Sequence, residues 1–499
     1  MIFTIKSPEE KDRYLSYIRQ IAMTEPLCMT KYLDFGTRVV RVLCHSPKLL
    51  LFLEQQLPFV LRDEVAHYDE TIVFWQATDI QKIARGLGIQ FNPEKNLRLR
   101  VEMLATGRRY PDILLMDPDF STTTPVMRLS VSSGMIEVYD TLTHTCYYAA
   151  ADLSPEELIK QGHLFVQQLN VLLKTETVNL THGAVFGYNG QGVLLCARGQ
   201  RGKSTLTVHS LLNGCEYVSD DYQILEKKEG QLYAYPLYSI ITLSPEMYGR
   251  MYSGFKGKFC SNNARKDKYV FNISSYEAQF KTRYPVSLCL FPEIVPDKDP
   301  SITPCSNEEK GRAIVQFIHS TVLQMRDLNN QSTIKKLFHM VCDLPFYRFN
   351  LSPQIAQNTE YLRGFLSQKR VLPTEAKLPR YLLDITFDVA NILDTETYTF
   401  YSLNKFATNV YEMLLSGVEP ELIAQKLTGW AQKRPALTAE FNLFIQMLQK
   451  YGLLSVSTIA YSKPVDLSVD FMAECGYKLS LQVFGAEQTQ ELIYITKGK

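Results

Sequence analysis

Apolar and polar positions alternate along this chain in several distinct rhythms, and each rhythm predicts a different element. "SPEELIKQGHLFVQQLNVLL" repeats its apolar residues with a helical period. Leu158, Phe165, Leu169 and Leu172 share one face, Ser154 is placed to cap the first turn, and Pro155 sits inside it. Short β-like runs occur at Val39–Val42 and in "ETIVFWQ" (Glu70–Gln76), with a helix near Pro47–Leu57 between them. Residues 1–30 read as a helical lead-in, and 111–151 as a series of short strands. Between Val185 and Ile224 the signals alternate as strand, tight loop, helix and strand, the α/β grammar of a parallel or mixed sheet. Strand-like text returns at "PVSLCLF" and "PFYRFNL", followed by a helix about Ser352–Leu366. "KRVLPTEAKLPR", with two prolines among basic residues, reads as a linker. Beyond it the pattern becomes a hairpin and three short helices. Asn404 caps Lys405–Leu415, which Gly417 closes; "PELIAQKL" follows; the last helix starts at a Thr438 cap and stops at Gly452. The segment 457–499 reads as a β-rich tail, and its pattern assigns it no role.

Composition narrows the classes. With 499 residues, 45% hydrophobic and 21% charged, the chain is long enough for several cores. Its net charge of +1 gives no global attraction to nucleic acid or an anionic membrane. No apolar run approaches the roughly 18 residues that span a bilayer. The first residues lack the pattern of a secretory signal, and the ten cysteines include no CxxC pair. The expectation is a cytoplasmic protein with reduced thiols and no metal held wholly by side chains.

Chemistry concentrates in "GVLLCARGQRGKSTLTVHSLLNGCEYVSDDYQIL". An apolar strand at Val193–Cys196 leads into a loop ending Gly-Lys-Ser and then a helix, Ser204–Leu212, stopped by Gly214. That is the context of a phosphate-binding loop, in which backbone N–H groups and the helix dipole face the anion. Lys203 would reach the β- and γ-phosphates and Ser204 a bound Mg²⁺. Ala197 stands where the motif's first glycine is usual, so the loop alone leaves a basic surface turn as an alternative. The strand end Ser219-Asp220-Asp221 adds carboxylates where a metal or a general base is needed. Upstream, His182 stands just before the loop strand, close enough in sequence to orient a carboxylate or share its proton. A basic loop with Lys256, Lys258, Arg265, Lys266 and Lys268 either covers phosphates or is simply solvated; Lys268 is the member that re-enters a strand.

This window, "HGAVFGYNGQGVLLCARGQRGKSTL…GCEYVSDDYQIL", resembles the catalytic core of the HPr kinase/phosphorylase superfamily, closest to its HPr-kinase-related branch. The shared pattern is a His-Gly, a hairpin ending Gly-Val-Leu-Leu, a Gly-Lys-Ser loop and an Asp-Asp strand end, and the likeness extends over about residues 30–370. The resemblance implies an α/β (α+β) P-loop kinase domain that uses ATP and Mg²⁺ to phosphorylate a serine hydroxyl, and oligomers are common in the family. By carry-over Gly199, Gln200, Arg201, Gly202, Lys203, Ser204 and Thr205 would hold nucleotide. Asp220 and Asp221 would divide the base and Mg²⁺ roles, in an order left open, with His182 supporting the base. Thr205 stands where the bifunctional HPr enzymes carry Glu, and their second glycine-containing signature has no match here. Both departures bear against HPr as substrate and against the reverse reaction.

The region 381–456 resembles the PqqD-like domain of ribosomal peptide pathways, a small winged-helix-like unit. The likeness rests on the "LDTETYTFYSLN" entry, "SGVEPELIAQKL" and "FIQMLQKYGLL". It implies that a precursor's leader peptide adds as a strand to the sheet edge. The binding residues would be Tyr398, Thr399, Phe400, Tyr401, Ser402 and Leu403, facing Phe406 and Val410. Eight acidic residues against five basic ones in this region weigh against DNA as the partner. The domains expected are 1–150, an N-terminal α/β part; 151–370, catalytic; 371–380, linker; 381–456, peptide recognition; and 457–499, the tail. Together they predict a kinase acting on a Ser, less readily a Thr, of a captured precursor peptide. The alternatives are a leader-binding scaffold with a degenerate nucleotide site, or a kinase of a small metabolite.

Overall fold

The computed structural model describes residues 2–4, 7–24, 26–76, 83, 86, 113–116, 127–130, 135–150, 163–197, 201–251, 255–263, 268–296, 298–325, 330–368, 378–386, 388–431, 437–454, 479 and 481–484. By its contacts the chain divides into two compact units. The first is Met1–Val193 with Lys203–Val286; the second is Leu194–Gly202 with Ser287–Lys499.

The first unit opens with a mixed nine-stranded sheet. Its strands are β1 (Ile2–Thr4), β2 (Met29–Asp34), β3 (Val39–Cys44), β4 (Leu61–Arg62), β5 (Glu70–Gln76), β6 (Ile113–Met116), β7 (Met127–Ser130), β8 (Met135–Asp140) and β9 (Thr145–Ala150), in the order β1-β6-β7-β8-β9-β5-β3-β2-β4. The expected helical lead-in is corrected: a strand precedes helix α1 (Pro8–Ala22), and β2 begins at Met29. Ser7 accepts from the Glu10 N–H at the start of α1, and Arg19 in its last turn pairs with the buried Asp140. Helix α2 (Pro47–Gln56) follows β3 as the pattern predicts. The central strand β5 is buried along six of its seven residues, which explains why it reads as an apolar run rather than an alternation.

The predicted helix around 154–172 is shorter among the described residues. Helix α3 spans Val166–Leu172, and Phe165 before it adopts φ +60°; Ser154 and Pro155 lie outside the described residues. Then come β10 (Val178–His182), β11 (Ala184–Tyr188), β12 (Gln191–Leu195), helix α4 (Lys203–Leu212), β13 (Glu216–Ser219), β14 (Tyr222–Lys228) and β15 (Gln231–Pro236). β10 pairs antiparallel with β14, β14 with β15, and β11 with β13. A three-stranded layer is formed by β16 (Ile240–Leu243), β17 (Lys258–Asn263) and β18 (Lys268–Asn272), with helix α5 (Pro245–Met251) in between. Val208 and Leu211 of α4 pack with Tyr217, Ile241, Leu243 and Phe271, fastening the helix to β13 and this layer.

Gly192 is the tightest backbone approach of this region. A Cβ there would lie 2.1 Å from the Pro285 carbonyl oxygen, a backbone atom that cannot swing aside. Gly192→Ala is expected to destabilise the protein by about 3 kcal/mol, the range of severe overpacking. Gly190→Ala, where φ is +77° and nothing lies within 4 Å, should cost about 1 kcal/mol from backbone strain alone. Scanning calorimetry of both variants checks the ranking.

In the second unit, the end of β19 (Tyr284–Ile294) pairs parallel with β21 (Phe346–Leu351), which pairs antiparallel with β20 (Ser301–Pro304). Helices α6 (Asn307–Gln324) and α7 (Gln331–Val341) stand between β20 and β21, and α8 (Ile355–Leu366) begins three residues later than the sequence pattern implies. Ser306 and Glu309 form a reciprocal capping box on α6. The C-terminal sheet runs β22 (Tyr381–Thr386), β23 (Val389–Asp394), β24 (Phe400–Leu403) and β25 (Leu481–Phe484) in that order. It packs with α9 (Lys405–Leu415), α10 (Pro420–Ala431) and α11 (Leu437–Lys450). Asn404 caps α9 by accepting from Ala407, as expected, whereas α11 begins one residue before the predicted Thr438 cap. β22 sits against α6 through Gln316, whose amide donates to Asp384 at 2.8 Å. Most of the predicted linker, 369–377, lies outside the described residues. No helix among the described residues is long and apolar enough to cross a membrane.

Candidate functional site

Two backbone features and one electrostatic feature place the chemistry. Gly202, at φ +85°, turns the chain into α4, and any Cβ there would meet Leu351 at 2.9 Å. The helix begins at Lys203, whose side chain is buried although it is a lysine. At the other end Gly214 adopts φ +79°; its N–H bonds Leu211 O and the Cys215 N–H bonds Ser210 O, a Schellman closure. The same closure ends α9 at Gly417 and α11 at Gly452.

The second feature is the turn between β13 and β14. Asp221 sits at φ +68°, and the Tyr222 N–H closes a three-residue turn onto Asp220 O at 2.9 Å. Non-glycine residues enter this region at a cost of roughly 1–2 kcal/mol, and such conformations cluster at functional sites. Gly183 N–H donates to Asp221 O at 3.0 Å and helps hold the turn. A buried network fixes the three strand ends around it. Gln223 donates from its side-chain amide to Thr181 Oγ1 at 2.9 Å, and the Ser219 hydroxyl donates to Gln223 Oε1 at 3.1 Å. Thr181 belongs to β10, Ser219 to β13 and Gln223 to β14, so one glutamine clamps all three.

The third feature is electrostatic. Asp220 is 1% exposed and neither of its carboxylate oxygens has a hydrogen bond of ordinary geometry. Burial pushes its pKa up to about 7 and the neighbouring Asp221 charge adds to this; Ser204, Lys268 and Lys203 pull the other way. Asp221 is more open, with 21% of its side chain exposed. Burial acts to raise its pKa too, but His163, His182, Lys268 and Lys203 together hold it well below the usual carboxylate range. His182 Nε2 lies 4.0 Å from Asp221 Oδ1. Adjacent carboxyl groups are thus driven apart, one toward neutrality and one firmly anionic, which is how acid–base and metal roles are separated on one fold.

Of the residues singled out in the sequence, the first unit brings Lys203, Ser204, Asp220, Asp221, His182 and Lys268 together. Thr205 lies on α4 and is half-buried. Arg201, in the second unit, is paired with Glu293 at 3.6 Å, a half-exposed contact worth at most about 1 kcal/mol. Gly199, Gln200, Arg265 and Lys266 lie outside the described residues. Ala197, in the place of the usual glycine, is buried. Lys256 donates its backbone N–H to the Tyr276 hydroxyl at 2.7 Å, and Lys258 opens β17.

His163 is the residue that periodicity concealed. Its sequence context reads as one turn of a helix, yet it precedes α3 and its ring packs at 4.6 Å from Tyr222 and 4.5 Å from Tyr238. Tyr238 is buried and donates to Leu164 O at 2.6 Å, fixing this aromatic wall. The only hint in the sequence is Gly162, which interrupts the helical pattern just before it.

The predicted peptide edge differs from expectation. The strand is Phe400–Leu403; Tyr398 is in a turn at φ +55°, with its hydroxyl 2.9 Å from His339 Nε2. Thr399 accepts from the Thr397 hydroxyl and precedes the strand. Phe400, Tyr401, Leu403, Phe406 and Val410 are buried, and Ser402 donates to Asn391 at 3.1 Å. Phe406 and Val410 therefore fill the core of this unit and do not line an open groove. The free edge of β24 is also covered, because β25 pairs with it along its whole length.

No protein-family model matches the chain, and no curated protein matches it. Among solved structures, the HPr(Ser) kinase/phosphatase from Coxiella burnetii aligns over 93% of its own length and 38% of this chain, with 11% identity and a TM-score of 0.21. A score that low carries no weight, so the chemistry of the site rests on its own residues.

Proposed function

We propose that the chain is an ATP- and Mg²⁺-dependent kinase that phosphorylates a Ser hydroxyl, less readily a Thr, on a ribosomally made precursor peptide. A winged-helix-like region of the PqqD type, residues 381–456, would hold that peptide's leader. The observation that carries the reading is Asp220: a buried carboxylate without ordinary hydrogen bonds, beside Ser204 at the start of a helix that opens with a buried lysine. An oxygen pair of this kind fits Mg²⁺, which takes hard oxygen ligands and leaves most of its positions to water and phosphate. Among the described residues no cluster of three or more His, Cys, Asp or Glu could hold a metal, and a Mg²⁺–nucleotide site needs none. Mg²⁺ bound there would supply charge neutralisation on the phosphates.

The roles divide as follows. Ser204 and Asp220 hold the cation, and Lys203 with the N-terminal N–H groups of α4 takes the phosphate oxygens. Asp221, the anionic and more open carboxylate, accepts the hydroxyl proton. His182 and His163 hold its charge and orientation. Because Asp220 must lose its proton before holding a cation, Mg²⁺ affinity should rise as pH increases through about 7. Capturing the leader on the same chain raises the local concentration of the target hydroxyl to roughly millimolar, which relaxes what the catalytic site itself must recognise.

The test is intact-mass measurement of the precursor peptide incubated with protein and MgATP. A gain of about 80 Da, one phosphate, is expected with wild type, and its loss on removing 381–456 would assign capture to that region. A gain that persists without 381–456 would remove the capture role from that region; transfer to a small hydroxylated molecule with none to the peptide would favour a small-molecule kinase, and peptide binding with no mass change a scaffold.

A further inference from the structure

The tail that the sequence left without a role occupies the edge at which a peptide would add. β25 pairs antiparallel with β24, matching Leu481 to Leu403, Gln482 to Ser402, Val483 to Tyr401 and Phe484 to Phe400. Leu479 and Leu481 are 3% and 2% exposed within the core that contains Leu403, Phe406 and Val410, and Val483 packs against the same cluster. Gln482, between them, is half-buried. Strand order ends at β25, so no other described strand competes for this place.

We infer that Leu479–Phe484 is an intrachain stand-in for the peptide, and that a bound peptide must displace it. The seat then defines its guest: an extended segment, antiparallel to β24, with apolar side chains at three alternate positions to replace Leu479, Leu481 and Val483. Main-chain hydrogen bonds to β24 would be the same for either occupant, so the choice between them rests on the side chains and on tethering. A tethered strand competes at an effective concentration of about a millimolar, and the apparent affinity for a free peptide falls by the fraction of edges left open. This inference rests on the peptide-capture reading, but its test does not use phosphate transfer.

The probe is a fluorescent synthetic peptide with the sequence of residues 477–486, YKLSLQVFGA, read by anisotropy against the full chain. In Leu481→Asp/Val483→Asp protein, two charges evict the strand, and the probe should bind at least ~10-fold tighter than to wild type. A probe with serine at the three apolar positions should bind neither. Since the double variant could misfold, Ser402→Cys/Gln482→Cys provides the opposite lesion. These directly paired residues have Cα atoms about 4.5–5.5 Å apart, within reach of a disulfide. Oxidation should lock the strand and weaken probe binding at least ~10-fold relative to the reduced form. Equal affinity in oxidised and reduced protein, or no gain in a double variant whose melting curve matches wild type, overturns the inference. If the lock blocks the probe but no peptide is ever phosphorylated, the stand-in survives and the kinase reading falls.

Discussion

Asp220→Asn protein is expected to lose phosphate transfer by about 10³-fold or more and, without nucleotide, to melt at a higher temperature than wild type at pH 8. Both effects follow from the same burial. The carboxylate is held in the folded state with its pKa near 7, against about 4 in the unfolded chain. The folded form therefore binds the extra proton between those values, and stability falls as pH rises from about 4 to about 7. Above pH 7 the protein carries a buried anion whose burden is on the order of a few kcal/mol. Asparagine cannot ionise, so the decline should vanish, less the penalty of an imperfectly bonded amide, about 1–3 kcal/mol. A rise of a few degrees is the expected net result. Asp221 acts in a separate window: its depressed pKa contributes stability that is lost only as pH falls below about 4. Thermal melts of wild type and variant from pH 4 to 8 check this, and MgATP should stabilise only the wild type. A variant that melts lower at every pH would place Asp220 among ordinary structural carboxylates.

Lys203→Met is expected to lower kcat/KM by about 10²–10³-fold while leaving the fold intact. Methionine matches the lysine stem, so the buried volume at the start of α4 is kept, and only the ammonium disappears. The Thr207 hydroxyl bonds the Lys203 backbone carbonyl at 3.0 Å, a contact the substitution does not touch. The lysine also favours ionisation of both aspartates. Its loss should move the acid limb of the pH–rate profile upward, which a purely structural lysine would not do. Steady-state kinetics across pH on both proteins measures the two effects together.

How much of this was legible in the sequence depends on whether local rules decided the outcome. α4 was readable at both ends because glycine at φ +85° and φ +79° marks its start and stop. α9 was readable because Asn404 and Gly417 act through backbone groups next to them in sequence. Asp220 and Asp221 were recognisable as carboxylates at a strand end, but their opposite titration was not. That split depends on the burial of Asp220 and on His163 and His182, which reach Asp221 from a separate loop and strand. His163 was hidden because a period-3.6 pattern assigns a residue to a helix face regardless of where the helix begins. The peptide edge failed for a related reason. Strand propensity identified the YTFYSL run, yet only long-range pairing could show Leu481–Phe484 lying beside it, and Tyr398, at φ +55° with its N–H bonded back to Asp394 O, belongs to the turn before the strand.

The most direct measurement is calorimetric titration of the wild-type chain with ATP, with and without Mg²⁺, at pH 6 and pH 8. A P-loop site closed by Ser204 and Asp220 predicts a one-to-one complex that requires Mg²⁺ for full affinity and binds several-fold more tightly at pH 8, where Asp220 has lost its proton. No heat of binding at either pH, or binding indifferent to both Mg²⁺ and pH, would contradict the assignment of this site to nucleotide.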